Sequence, residues 1–369
     1  MPDVEPILGR KVHGPATARW EIDGRHYVNF AGSSYLALAH LPELRESAYR
    51  AIALGAAFAE QFPPPYGCED TIYTAVEDTA ARLLETPAAV FFTTGYFIGA
   101  ILLAAHARPT DQIFLDEGAH YNMRDAARLS DLPVTAFPTG DAEALAAAIA
   151  RDLQPGRRPL VMTDGTYATT GLLAPLREFA DVAGRYEGLL LVDDAHGFGA
   201  FGASGRGAVE HLGVDKIARF AGTLSKSFSA NGAVIGCSAA EAERINAQPP
   251  KRGANAGSTI SATVADAAMR YMTVHPERRE RLAALTRHAR QSLRAIGLDI
   301  PDSPAPIIAF RTGPRATMRA QQHALFAQGI YLPISNYLGA GPDGIFRCAI
   351  FADHDEADID RLAEGLAAL

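Results

Sequence analysis

The stretch "GTLSKSFSANGAVIGC", residues 222–237, carries one charge, Lys226, among small and apolar residues. Its uncharged surroundings run from Phe220 to Ala240, in a chain whose only other lysines are Lys11, Lys216 and Lys251. Two readings of Lys226 stand. A lysine ordinarily snorkels to the surface or pairs there with a carboxylate. In an apolar site, desolvation instead lowers its pKa, and the neutral amine can then form a Schiff base with a carbonyl.

Upstream lies "LLLVDDAHGFGAFGASGRG", residues 189–207. An apolar strand runs straight into Asp193-Asp194-Ala195-His196. In an α/β sheet, polar groups at the carboxyl end of a strand sit where ligands bind. Asp193 and His196 can therefore converge on one ligand, although Asp and Gly also suit an ordinary strand-end turn. Gly197-x-Gly199-x-x-Gly202 formally matches GxGxxG, but "DDAH" precedes it and "GASGRG" follows. It does not join a strand directly to a helix, so a dinucleotide fold is set aside.

Further upstream, "FFTTGYFIGA" leads a strand through Thr94-Gly95 into a helix. Free N–H groups and the positive dipole end make such a junction a ready anion site; a plain strand–helix turn is the alternative. Near the other end, Arg347 sits inside the apolar "GIFRCAI". It needs an anionic partner, either a structural carboxylate or a substrate carboxylate gripped bidentately.

Between these landmarks helices and strands alternate. "AAVFF", "QIFLD", "PVTAF", "PLVMTD", "GLLLVDDAH", "IARFAG" and "AVIGCS" read as strands. They are continuous apolar runs, as in a sheet covered on both faces. "DTIYTAVEDTAARLLE", "DAEALAAAIARDL" and "LREFADVAGRYE" read as helices. The alternation predicts an α/β sandwich with a mostly parallel sheet. Residues 18–38 read as a β-rich arm with a hairpin turn at Asp23-Gly24. "LPELRESAYRAIALG" reads as a helix closed by Gly55, and residues 56–72, with Pro63-Pro64-Pro65, as loop. After about residue 270 comes a smaller α+β region: a long charged helix, "PIIAF", a helix, "IYLPI", "IFRCAI" and the final helix "DEADIDRLAEGLAAL". Residues 88–107 are uncharged and about long enough to cross a bilayer, but they read better as strand, turn and helix start.

Composition excludes several classes. The 369 residues carry a net charge of -8 and no Lys/Arg-rich run, which argues against a nucleic-acid partner. Cys68, Cys237 and Cys348 are far apart and lack ligand spacing, so no metal site is expected, and the low, odd count fits a reducing cytoplasm. The start lacks a signal-peptide pattern.

Taken in order, these segments resemble the α-oxoamine synthase family among the fold-type-I pyridoxal-phosphate (PLP) enzymes, which share the aspartate aminotransferase-like fold. "GTLSKSFSANGAVIG" resembles the family's Schiff-base lysine segment. "TDGTYATTGLLAPLREFADVAGRYEGLLLVDDAHGFGAFGASGRG" resembles its core, "YVNFAGSSYLALAHLPEL" its N-terminal arm and "IFRCAIFADHDEADID" its C-terminal arginine segment.

The resemblance implies an arm over 1–40 that joins the small domain, a large PLP-binding domain over 41–270 and a small C-terminal domain over 271–369. It implies that Lys226 carries PLP as a Schiff base, that Asp193 pairs with the pyridinium nitrogen so the ring acts as an electron sink, and that His196 bonds the phenolic oxygen. His120, in "LDEGAHYNM", would stack on the ring. Thr94, Gly95 and Tyr96 would hold the phosphate, with Thr223 beside them, and Thr259 would reach a phosphate across a homodimer interface. Arg347 would hold the amino-acid carboxylate.

Three departures stand out. Ser33 replaces the arm's usual asparagine near the substrate. Ala168 replaces a serine that would contact the phenolic oxygen. Residues 56–72 replace a glycine-rich segment. They cluster where substrate and acyl thioester would enter. The implied activity is a cytoplasmic C-acyltransferase condensing an amino acid with an acyl thioester, acyl-CoA or acyl carrier protein, with decarboxylation to an α-oxoamine. An aminotransferase is the alternative, and a non-catalytic binding protein the third reading.

Overall fold

The structure is a computed structural model that describes residues 4–13, 17–55, 71–253 and 257–369. Its chain divides into two compact units. One holds Leu41–Tyr167 and Leu173–Val274; the other holds Met1–His40, Ala168–Leu172 and His275–Leu369.

The larger unit is built on a seven-stranded sheet. In spatial order its strands are Ala88–Phe92, Ala233–Cys237, Arg219–Thr223, Leu189–Asp193, Arg158–Asp164, Asp111–Asp116 and Val134–Phe137. Ala233–Cys237 runs antiparallel to both its neighbours; the remaining ladders are parallel. The mostly parallel α/β sheet expected from sequence is thus observed. Its central strands are buried along nearly their whole length, which is why they read as unbroken apolar runs rather than alternating ones. Helices Ile98–His106 and Leu176–Gly184 pack on it, the first against Arg219–Thr223 and the second against Leu189–Asp193.

The parallel arrangement has a chemical consequence. Strands Asp111–Asp116, Arg158–Asp164, Leu189–Asp193 and Arg219–Thr223 all end on the same side, and each ends on a polar residue. Ligands of open α/β sheets bind outside these carboxyl ends. Residues 88–107 form the strand Ala88–Phe92, a 3-10 turn Gly95–Phe97 and the helix Ile98–His106. No helix among the described residues is long and apolar enough to cross a membrane. The GxGxxG match leads through turns rather than directly into a helix; the next helix is the short Ala208–His211.

In the smaller unit, strands Arg19–Ile22 and Arg25–Asn29 form the expected hairpin. Asp23 and Gly24 turn it with φ of 52° and 76°, the left-handed pair that two-residue hairpins favour. Helices Glu277–Ala295 and Glu356–Ala367 pack together. A three-stranded sheet orders Ile307–Phe310, Ile345–Ala349 and Ile334–Ser335. "IYLPI" is not one strand: Ile330–Tyr331 pairs with Arg25–Asn29, whereas Ile334–Ser335 pairs with Ile345–Ala349. Pro333 lies at the break and has no N–H to continue a ladder. Back in the larger unit, the helix expected before Gly55 spans Pro42–Ala53. Most of the expected loop at 56–72 lies outside the described residues; Thr71 already opens the next helix.

Candidate active site

Thr94, Gly95, Tyr96, His120, Asp193, His196, Thr223 and Lys226 all line one cavity of about 220 Å³ in the larger unit. Asn122, Asp164, Ala195 and Ser225 line it too. Thr259, expected among the cofactor ligands, does not. It opens the helix Thr259–Val274 and is buried.

Lys226 sits in the loop that carries the chain from Arg219–Thr223 back into the antiparallel strand Ala233–Cys237. Leu224 N–H donates to Gly232 O at 2.9 Å and Ala230 N–H to Leu224 O at 2.9 Å, closing the loop. Phe228 anchors it against Phe198, ring centroids 5.0 Å apart. The close approach explains Gly222, where a Cβ would lie 2.4 Å from the Phe198 ring. It is a packed loop, so the lysine is held at the cavity by its neighbours.

The two adjacent aspartates face different surroundings. Asp193 lines the cavity, and its carboxylate accepts the Ala195 N–H at 2.9 Å and the Asn122 side-chain N–H at 2.7 Å. Asp194 is enclosed by Gly165, Gly197 and Gly207, at each of which a Cβ would come within 2.7 Å of its carboxylate. It accepts the Val209 N–H at 3.2 Å, and burial pushes its carboxyl up to about 7. The glycine-rich run is therefore a mould for Asp194, leaving Asp193 for the cavity.

At the far wall, Thr94 caps the 3-10 turn by accepting the Tyr96 N–H at 3.3 Å. A Cβ at Gly95 would meet Thr223 Oγ1 at 2.7 Å. Only glycine leaves this cradle open, with helix-start N–H groups and two hydroxyl side chains around it. His120 precedes the helix Tyr121–Leu129; its Nδ1 accepts the Asn122 N–H at 3.2 Å, so the neutral ring carries its proton on Nε2.

Asn122 and Asp164 escaped the sequence reading. Asp164 ends its strand opposite Asp193 in register. The signal available was positional: an acidic residue closing each of "QIFLD", "PLVMTD" and "GLLLVD". Asn122 left none, since it reads as an ordinary residue at a helix start.

Arg347 and Ser33 belong to the smaller unit. Arg347 donates to Ala168 O at 2.8 Å, Gly32 O at 3.0 Å and the Tyr35 hydroxyl at 3.3 Å. Among the described residues no carboxylate pairs with it, so the structural-carboxylate reading is not what is observed.

A family model for aminotransferase class I and II matches residues 25–366. This chain belongs to that family. A curated member, the 8-amino-7-oxononanoate synthase of Nitrosococcus oceani, is 31% identical over 365 residues, covering 97% of this chain and 95% of the relative. The serine palmitoyltransferase of Sphingomonas wittichii superposes with a TM-score of 0.90 at 24% identity, over 99% of this chain and 92% of that one. A further serine palmitoyltransferase structure, described as holding PLP as its internal aldimine, has the same TM-score at 23% identity, over 99% and 93% of the two chains. Fold type I and the α-oxoamine synthase resemblance stand, and PLP is the cofactor of this class of aminotransferase-fold enzymes. The residues present fit it: an anion cradle that a Cβ would fill, a buried carboxylate fixed by N–H donors and a lysine held at the same cavity.

Proposed function

We propose that this chain is a PLP-dependent C-acyltransferase that condenses an amino acid with an acyl thioester and releases CO2. The observation that carries the reading is the convergence of Lys226, Asp193 and His120 on one cavity, in a chain alike over nearly its full length to 8-amino-7-oxononanoate synthases. Bound there, PLP supplies an aldehyde that captures amines and a ring that draws electron density from the substrate's α-carbon.

The chain's residues divide the remaining work. Lys226 Nζ is the amine that would hold the aldehyde, and as a free amine it would be the base for the substrate's α-proton. Asp193 would pair with the ring nitrogen and keep a proton on it. The flat ring of His120 would cover the cofactor ring and exclude water, and His196 would donate to the phenolic oxygen. The Thr94–Gly95–Tyr96 turn and Thr223 would hold the phosphate. By the resemblance, Arg347 would hold the substrate carboxylate and Ser33 would serve the substrate.

We assign the acyl donor to the CoA or carrier-protein class and the enzyme to the cytoplasm as a homodimer, with Thr259 serving the partner's phosphate. Sedimentation tests the dimer. Mixing Lys226→Ala with Thr259→Val chains tests the sharing, since mixed dimers should regain one intact site. Product analysis tests the activity. CO2 and free thiol in equal amounts support the acyltransferase; a 2-oxo acid formed without thiol release would identify an aminotransferase.

A further inference from the structure

Asp164 and Asp193 end neighbouring parallel strands and stand opposite each other in register. Both line the cavity, and they are only 3% and 4% exposed. Two carboxylates this close and this buried cannot both ionise cheaply. Their hydrogen bonds are unequal. Asp193 accepts one N–H on each oxygen, from Ala195 and Asn122. Among the described residues Asp164 accepts one on its side chain, the His120 backbone N–H at 3.0 Å.

Asn122 makes the inequality durable. It is buried, and its other hydrogen-bond contact through Nδ2 runs to Gly95 O at 3.1 Å. The amide is thereby locked with its donor toward Asp193, and an amide has no proton to surrender. The groups acting on Asp164 from the surrounding elements are Asp193, Asp116 at the end of the next strand, Tyr167 and Lys226. His120, His196 and Lys226 share the cavity. Burial, reinforced by Asp193, pushes the Asp164 carboxyl well above its ordinary range.

We propose that Asp164 is a further positioning residue, standing as a neutral carboxylic acid beside an ionised Asp193, and that Asn122 decides which of the two carries the charge. The cavity then presents one negative charge, at the residue assigned to the ring nitrogen, while Asp164 fixes the backbone that bears His120. The inference rests on the PLP reading only for its optical readout.

Three measurements on the PLP-loaded protein test it. Asp164→Asn keeps the shape and an acceptor for the His120 N–H. The pH midpoint of the bound chromophore's absorbance should move by less than about half a unit, because no charge is lost; a larger fall overturns the proposal, since removing a nearby anion lowers a cation's pKa by roughly 1 unit or more. Asn122→Ala should lower the midpoint by about 1 unit, and an unchanged midpoint overturns the role of Asn122. Infrared spectra at neutral pH should show a protonated-carboxyl C=O band that Asp164→Asn removes and that Asp116→Asn and Asp194→Asn leave; its absence overturns the proposal whether or not a chromophore forms. Should Asp164→Asn fail to fold, an atomic-resolution crystal structure of the wild type decides. Unequal C–O lengths at Asp164 with equal ones at Asp193 support the assignment, and equal lengths at Asp164 overturn it. Failure of the PLP reading itself would show separately, as protein that takes up no chromophore.

Discussion

Asn122 bridges Asp193 and Gly95: its side-chain nitrogen lies 2.7 Å from the Asp193 carboxylate and 3.1 Å from the Gly95 carbonyl. One amide ties the carboxylate end of the cavity to the turn assigned to the phosphate. Both ends of the cofactor site therefore depend on a residue that need not touch the cofactor. Asn122→Ala removes a charge-assisted bond of about 1.5–3 kcal/mol. We expect PLP affinity to fall roughly 10- to 100-fold, read by equilibrium titration of the apoprotein. Unchanged affinity would show that the two ends are positioned independently.

Lys226 is distinguished from the other described lysines by location. Lys216 pairs with Glu85 at 3.1 Å, and Lys251 donates to Phe91 O at 2.7 Å. Lys226→Ala should abolish turnover, and borohydride reduction of the wild type should fix PLP to Lys226. Recovery of the label on a peptide containing Lys216 or Lys251 would remove the Schiff-base assignment.

Gly95 tests the phosphate end. Gly95→Ala pushes a methyl group to 2.7 Å from Thr223 Oγ1. Overpacking of this kind costs about 1–3 kcal/mol, here concentrated where the phosphate would sit. PLP affinity should drop about tenfold or more while pyridoxal without phosphate is affected less. Equal losses for both would mean that the cradle holds something other than the phosphate.

How far these residues could be read in advance depends on what carried their signal. Lys226 and Asp193 were legible because each interrupts or ends a long apolar run, and burial makes such a polar residue conspicuous in one dimension. Asp164 closes an equally apolar strand, but "TDG" is also ordinary turn chemistry. Its place opposite Asp193 is a matter of strand register, which joins residues 29 positions apart. Asn122 depends on how the helix Tyr121–Leu129 docks, which no local pattern encodes. The split of "IYLPI" follows from the missing N–H of Pro333, a local fact, but the two destinations of its halves are tertiary.

His354 gives a pH prediction in the smaller unit. It is fully buried, its Nδ1 accepts the Phe351 N–H at 2.9 Å, and its other nitrogen lies 3.1 Å from Asn29 O. That arrangement needs the neutral ring, and burial lowers its pKa from 6.5 to about 4. The unfolded chain therefore takes up this proton first as pH falls. Stability from His354 is complete above 6.5 and is lost between 6.5 and about 4, with a slope of at most about 1.4 kcal/mol per pH unit. His106, lowered to about 4 by burial, has the same sign; Asp194, raised to about 7, has the opposite one. The contribution of His354 is thus isolated by difference. Thermal unfolding of His354→Gln should start lower at neutral pH and then decline less than the wild type across that window. Parallel profiles would contradict the assignment.

Asp193 and Asp194 are adjacent in sequence, and only their surroundings separate them. Asp193 faces the cavity between two N–H donors; Asp194 fills the glycine-lined pocket and caps the short helix Ala208–His211. Asp193→Asn keeps the shape but removes the anion that would hold a proton on the ring nitrogen. PLP should still bind, while exchange of the substrate α-proton with deuterated solvent falls about 10²- to 10³-fold, as for loss of one preorganised electrostatic group. Asp194→Asn turns a donor toward backbone N–H groups and disturbs the loop. It should cost about 1–3 kcal/mol of stability and leave exchange per bound cofactor nearly intact. Measuring melting temperature and exchange on both variants gives a crossed pattern that general damage to the strand end cannot mimic. The opposite crossing would transfer the electron-sink role to Asp194 and require the 195–207 loop to reorganise when the cofactor binds.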